Sequence, residues 1–295
     1  MSKKHKAGFV SIIGNPNVGK STFLNSWIGE DVSIVTPKSQ TTRHRIRFII
    51  NSKDYQIVLS DTPGLIEPKY LLQNSMMKFL KDTLIDSDIL LLMTTVRDKI
   101  IENDDIINKI KGLKKKSFLI INKIDLINQQ ILEKEVNLWE MKLPGIKILP
   151  ISALNNFNIE NVSKLILENL PYSPAFFPKD QLADKSKRFF VNEFIREQIF
   201  HKFNKEVPYS TEVVTEVFDR SKGNIIRIES TIIVERETQK AILIGKNGLA
   251  LKKVGTDARK KMEHFFKKKV HLKLFVKVNK KWRTNVKKLK DFGYN

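Results

Sequence analysis

The chain has 295 residues, enough for two domains with separate cores, and no cysteine, which removes disulfide staples, thiolate metal sites and thiol nucleophiles. No apolar run approaches the roughly 20 residues of a membrane-spanning helix, and the first six residues, with three lysines, lack the apolar core of a secretory leader. An intracellular soluble protein is the expectation. The net charge is +21 and unevenly spread: residues 1–175 hold 24 basic and 18 acidic residues, residues 176–295 hold 29 and 14. The shorter, more basic part points to a polyanionic partner such as nucleic acid.

In chain order, Gly8–Ile13 predicts a buried strand and Thr22–Ile28 a helix stopped by Gly29. Between them lies Gly14-Asn15-Pro16-Asn17-Val18-Gly19-Lys20-Ser21. Gly, four residues, then Gly-Lys-Ser between a strand and a helix is the phosphate-binding loop pattern: bare backbone amides and a helix N-terminus face the phosphates. Lys20 is expected on the β- and γ-phosphates, the Ser21 hydroxyl on Mg2+, and Thr22 at the start of the helix. Residues 31–45 have no steady period and predict a mobile loop containing Thr41, Thr42, Arg43, His44 and Arg45.

Two strands follow, Ile46–Ile50 and Tyr55–Ser60, the second running into Asp61-Thr62-Pro63-Gly64-Leu65. An acid at a strand end holds Mg2+ through water, and a glycine three residues on offers its N–H to a γ-phosphate. A helix over Tyr70–Leu84, a strand over Ile89–Met93, a helix over 103–113 and a strand over Ser117–Ile121 lead to Asn122-Lys123-Ile124-Asp125. The Asp125 carboxylate is placed to accept from guanine N1–H and N2–H, a pattern adenine lacks. Asn122 and Lys123 would pin the loop and cover the base. The strand Ile146–Ile151 ends in Ser152-Ala153-Leu154, with the Ala153 N–H placed for guanine O6, and a helix over Ile159–Leu170 follows. Alternating strands and helices with functional loops at strand C-termini predict a doubly wound, mostly parallel α/β sheet.

The proline-dense stretch Pro171–Asp180 is the expected linker, giving domains at 1–172 and 188–295 joined by 173–187. Beyond it, apolar residues Phe190, Phe194, Ile195, Ile199 and Phe203 repeat at helical spacing. Thr211–Phe218 and Asn224–Val234 alternate as strands. A helical stretch then reaches Gly245-Lys246-Asn247-Gly248, a basic helix continues to about Lys269, and His271–Val278 forms a last strand. That α-β-β-α-α-β order with Gly-x-x-Gly between two helices is the arrangement of a KH domain, whose low-bulk loop approaches a sugar-phosphate backbone. Gly245, Lys246, Asn247, Gly248, Lys252, Lys253, Arg259 and Lys260 are its candidate RNA ligands. The five histidines show no metal-ligand spacing. Trp27 and Trp139 read as packing rings; Trp282, flanked by Lys281 and Arg283, reads as packing with RNA stacking as the alternative.

These motifs, with Gln40-Thr41-Thr42-Arg43-His44-Arg45 and the tail Phe275-Val276-Lys277-Val278 with Trp282, resemble the Era family of bacterial GTPases over nearly the whole chain. The resemblance implies a P-loop GTPase domain followed by a type II KH domain. It implies hydrolysis of GTP to GDP with Mg2+, and a KH domain on the 3′ end of small-subunit ribosomal RNA during maturation of that subunit. It also implies a monomer in the cytoplasm, partly peripheral on the inner face of the cell membrane. On the family pattern, Lys20, Thr42 and Gly64 act on the reaction, and Ser21, Thr42 and Asp61 surround Mg2+. Ras-type proteins carry a water-orienting Gln where this chain has Leu65. Relatives with that departure imply a K+ ion between the β- and γ-phosphates, with Asn17 as the matching ligand. An RNA-modifying GTPase is the alternative function, and a plain RNA-binding module with a vestigial pocket a third.

Overall fold

The β-branched runs around the glycine-rich loop pair into one sheet. The structure, a computed structural model, describes residues 5–96, 112, 115–221 and 223–294. The strands β1 (Lys6–Gly14), β2 (Ile46–Asn51), β3 (Tyr55–Asp61), β4 (Ile89–Thr95), β5 (Lys116–Asn122) and β6 (Lys147–Pro150) form a sheet in the order β2-β3-β1-β4-β5-β6. Only β2 runs antiparallel among them. The central strands are apolar almost throughout because both faces are covered, as a parallel sheet requires: Val10, Ile12, Leu90, Leu91, Leu119 and Ile120 are all 0% exposed. Helices α1 (Lys20–Ile28), α2 (Leu71–Asp86), α3 (Gln129–Lys142) and α4 (Ile159–Asn169) accompany the sheet. The helix expected over 103–113 lies, apart from Gly112, outside the described residues.

At the end of α2 the orphan carbonyls are taken up by a cation. Lys115 Nζ donates to the oxygens of Leu84 (2.8 Å), Ile85 (2.5 Å) and Ser87 (2.7 Å), which satisfies them and neutralises the negative helix end. The proline-dense stretch is bonded rather than loose. Ala7 N donates to Pro171 O, and Gln56 Oε1 accepts from the amides of Phe176 (2.7 Å) and Phe177 (3.0 Å). Ile49 N donates to Leu182 O at 2.8 Å.

The chain divides into two compact units. The first comprises Met1–Ser33, Thr42–Glu67 and Met76–Asp184; the second comprises Ile34–Thr41, Pro68–Ser75 and Lys185–Asn295. The second contains α5 (Lys187–Lys202), β7 (Glu212–Asp219), β8 (Ile225–Val234), α6 (Glu237–Ile244), α7 (Leu249–Phe266), β9 (Lys269–Val278) and α8 (Val286–Asp291). Its sheet is ordered β7-β8-β9, with β7 antiparallel and β9 parallel to β8. The Ser186 side chain caps α5 by accepting from Phe189 N. Phe190 and Phe194 pack their rings on Phe265 of α7, each at 5.2 Å between centroids. Trp282 is 0% exposed and donates from Nε1 to Ser210 O at 3.0 Å, so it is a structural ring and the stacking alternative for it falls.

Candidate nucleotide site and nucleic-acid groove

The glycine-rich loop closes through left-handed backbone at Asn17 (φ 66°) and Gly19 (φ 98°), and α1 starts immediately after it. Glycine is required at two points by crowding. A Cβ at Gly19 would lie 2.3 Å from Asn122 Nδ2, and one at Gly14 would lie 2.2 Å from Met93 O. Lys20 is buried, and its ammonium donates to the carbonyls of Gly14 (3.0 Å) and Asn15 (2.7 Å), poised at the mouth of the loop.

Three oxygen-bearing side chains from separate elements meet beside it. Ser21 Oγ lies 3.3 Å from Thr42 Oγ1, and each lies 3.4 Å from Asp61 Oδ2. Asp61 is 0% exposed and its Oδ1 has no hydrogen-bond partner among the described residues. Burial pushes its carboxyl above the usual range, against hydrogen bonding by Ser33 and the charge of Lys20, which pull the other way. Ligands of an octahedral Mg2+ sit at about 2.1 Å from the ion, so neighbouring ligand oxygens lie about 3 Å apart. Two hydroxyls and an under-satisfied buried carboxylate at this spacing fit a small hard cation. Thr42, from the aperiodic segment, stands beside Ser21 and Asp61.

Ser33 was not anticipated. Its Oγ donates to Asp61 Oδ2 at 2.6 Å. Asn25 of α1 fixes it there, accepting from Ser33 N (2.8 Å) and donating to Ser33 O (2.8 Å). Neither residue lies in a recognisable spacing, so no sequence signal marks them.

Gly64 packs directly on the phosphate loop: a Cβ there would stand 2.7 Å from Pro16 N. Leu65 N donates to Gly14 O at 3.2 Å, and the Leu65 side chain packs against the core of Ile13, Leu80, Leu90 and Leu92. It is half-buried there. Thr62 Oγ1 donates to Ile12 O at 2.8 Å and Pro63 is buried, which fixes the strand end that carries Asp61.

The residues expected to face the base are held by their own network. Asn122 Nδ2 donates to the carbonyl of buried Val18 at 2.8 Å, and Lys123 Nζ donates to Asn17 O at 2.6 Å, so both clamp the phosphate loop. Lys123 occupies left-handed backbone (φ 64°) and α3 follows only after a short turn. Asp125 is exposed, with Oδ1 accepting from Ser152 Oγ at 2.5 Å, which orients the carboxylate. Ala153 N donates to Asn122 Oδ1 at 3.0 Å. The contact expected between that N–H and guanine O6 therefore requires the bond to Asn122 to be shared. Leu154 is 74% exposed on the same loop.

In the second unit, Gly245 (φ 70°, ψ 179°) and Gly248 (φ 75°) flank Lys246 and Asn247, and α7 begins at Leu249. A Cβ at Gly245 would meet Ala250 Cβ at 2.6 Å, whereas nothing lies within 4 Å of one at Gly248. The first glycine is needed for packing and the second faces open space. Beside it runs a groove of about 360 Å3 lined by Gly248, Lys252, Gly255, Arg259, Leu272 and Leu274, among others. Lys252 and Arg259 thus border an apolar floor, while Lys253 and Lys260 are exposed on α7 without lining the groove. No group of three or more His, Asp or Glu able to hold a metal occurs among the described residues.

A family model described as a 50S ribosome-binding GTPase matches residues 9–123, and one described as a KH domain matches residues 206–283. GTPase Era of Staphylococcus haemolyticus is 40% identical over 292 residues, 99% of this chain and 98% of that protein. A crystal structure of Era in complex with MgGDPNP and nucleotides 1506–1542 of 16S ribosomal RNA is similar with TM-score 0.93 at 37% identity, covering 98% of this chain and 99% of that one. A variant of Aquifex aeolicus Era bound to GDP and AlF4− gives the same TM-score, identity and coverage.

Proposed function

The chain belongs to the Era family of GTPases, and from that premise we propose that its residues divide the work as follows. The protein is a GTPase whose KH domain binds the 3′ end region of small-subunit ribosomal RNA and assists maturation of that subunit. The observation that supports the nucleotide reading best is the convergence of Ser21, Thr42 and the under-satisfied, buried Asp61 beside Lys20. Mg2+ bound there neutralises phosphate charge. The backbone N–H groups of Asn15 and of Asn17 to Thr22 cradle the phosphates (Pro16 has none), Lys20 exchanges its two loop carbonyls for phosphate oxygens, and the Gly64 N–H meets the γ-phosphate at a point where no side chain fits. Asp125, held by Ser152, reads guanine.

The position after Gly64 cannot orient water, because Leu65 has an aliphatic side chain with no hydrogen-bonding group. We read the hydrolysis as slow and stimulated by K+, which would stabilise charge between the β- and γ-phosphates with Asn17 as a ligand. Equal rates in KCl and NaCl overturn that part. No helix among the described residues is long and apolar enough to cross a membrane. The family resemblance supports reading the protein as a cytoplasmic monomer with a peripheral membrane contact. The base assignment is tested by Asp125→Asn. The variant is expected to lose GTP affinity by about 100-fold or more and to gain affinity for xanthosine triphosphate. GTP binding at wild-type strength overturns it.

A further inference from the structure

The sheet of the second unit has one face under helices and another that carries a different chemistry. Ile226, Ile228, Ile232 and Val234 of β8 are 0% exposed on the helix side, and Leu272 and Leu274 of β9 floor the groove on that side. The intervening residues of β9 point the other way. Lys269, His271, Lys273, Phe275 and Lys277 are all exposed. In the parallel register they stand beside Ile225, Arg227, Glu229, Thr231 and Ile233 of β8. Members of the row recur about every 6.6 Å along the strand, close to the spacing of phosphates along an extended nucleic acid strand.

The face is net positive. Arg227, Lys269, Lys273 and Lys277 oppose Glu229, which lies 2.7 Å from Arg227 and 3.8 Å from Lys273, and Glu216, 3.8 Å from Lys277. Lysines on an edge strand also keep sheets from joining edge to edge. That role does not call for an aromatic side chain among them, yet Phe275 sits between Lys273 and Lys277 and is 46% exposed. A half-exposed ring flanked by cations is the arrangement on which bases of a single strand stack while the lysines meet the backbone. The row also adjoins the groove through a single strand, since Leu274 is the groove floor and Phe275 the next residue on the opposite face. A KH groove accommodates about four nucleotides.

We propose that the outer face of β9 is a second single-stranded RNA contact, taking the nucleotides that leave the groove across the β9 edge. It rests on the reading of the second unit as an RNA-binding KH domain. The test uses the full chain, the last six or so nucleotides of 16S ribosomal RNA, and the last sixteen or so. The variant combines Lys273→Gln, Phe275→Ala and Lys277→Gln, all at exposed positions; Lys269→Gln with Lys273→Gln serves as a second variant that keeps the ring. The triple variant is expected to bind the long strand about tenfold or more weakly and the short strand as wild type does. The slope of log affinity against log salt for the long strand should fall by about 1.4, at about 0.7 per lost phosphate contact. Equal weakening of both strands, or no weakening of the long one, overturns the proposal. So does a long-strand advantage that appears only when the added nucleotides are folded as a hairpin. A wild-type chain that binds neither strand overturns the KH reading itself, whereas Gly248→Asp weakening both strands supports the groove as the site the two strands share.

Discussion

Asp61 meets two opposed demands. In its proposed role as a ligand it must be ionised, yet it is fully buried, one of its oxygens has no hydrogen-bond partner among the described residues, and burial raises its pKa. A carboxyl whose folded pKa is raised contributes stability that is complete below its ordinary value and lost as pH rises through the folded value. Ionising the side chain therefore weakens the nucleotide-free fold. Asp61→Asn is expected to melt higher without nucleotide, by about 2–4 °C for each kcal/mol recovered, while losing the rise in melting temperature that Mg2+ and GTP give the wild type. A lower melting temperature in the absence of nucleotide would remove the argument. Gly64 is constrained by contact instead: Gly64→Ala places a carbon 2.7 Å from the backbone of Pro16, so one loop must shift. Hydrolysis should drop about 100-fold, as displacements near 1 Å do, with GDP affinity unchanged because Gly64 is assigned to the γ-phosphate alone. Both residues were legible in the sequence because phosphate chemistry fixes their spacing from Lys20. Ser33 and Asn25 were not, since a hydroxyl and an amide that orient a carboxylate can come from any nearby turn.

Within elements, α5 shows where periodicity misleads. Its phenylalanines and isoleucines repeat at helical spacing and are core, but Glu193, Arg196 and Glu197 on the same helix are buried too. Arg196 donates to Glu193 from Nε (2.9 Å) and Nη2 (2.8 Å) and also to Thr41 O, and its Nη1 is buried with no hydrogen-bond partner among the described residues. Burial alone would lower its pKa; the adjacent Glu193 carboxylate outweighs that and holds the guanidinium charged. Removing one member leaves the other charged and unpaired, so Arg196→Ala should cost about 3–5 kcal/mol in urea unfolding. Arg196→Met with Glu193→Leu should recover much of the loss. If the single and double variants are equally unstable, the pair is not the source of the effect. A hydrophobic pattern cannot report this cluster, because charged residues interrupt the period that signals burial. The opposite error occurs at α3, where Leu132, Val136, Trp139 and Leu143 do recur at helical spacing, but a motif-led reading passed from Asp125 to the next strand. The short α8 was also missed: its six residues include three lysines and offer Leu289 as the buried contact.

At the scale of the molecule, the uneven charge and the two motif sets announce two functions, but not how one reports to the other. The segment Ile34–Thr41 belongs to the second compact unit, although Thr42 belongs to the first. Lys38 Nζ donates to the end of α5 through Phe200 O (2.5 Å) and also Phe203 O. Val35 N donates to Glu197 Oε1 at 3.4 Å, and Glu197 accepts twice from Lys261 of α7 (2.8 and 2.7 Å), the helix that begins at the Gly-Lys-Asn-Gly loop. One peptide bond separates this strapped segment from the threonine assigned to the Mg2+ site. On the proposed role of Thr42, its ordering by γ-phosphate is expected to displace the adjoining segment Ile34–Thr41, and the straps are expected to pass a free-energy difference to α7. Linkage then requires that a GTP analogue change RNA affinity by the same factor as RNA changes affinity for the analogue, within about 5–150-fold. Lys38→Ala removes one strap without touching a nucleotide ligand. It should bring that factor towards one while leaving analogue affinity, measured without RNA, within about twofold of wild type. A factor that stays at the wild-type value in the variant would show that the segment does not transmit the nucleotide state.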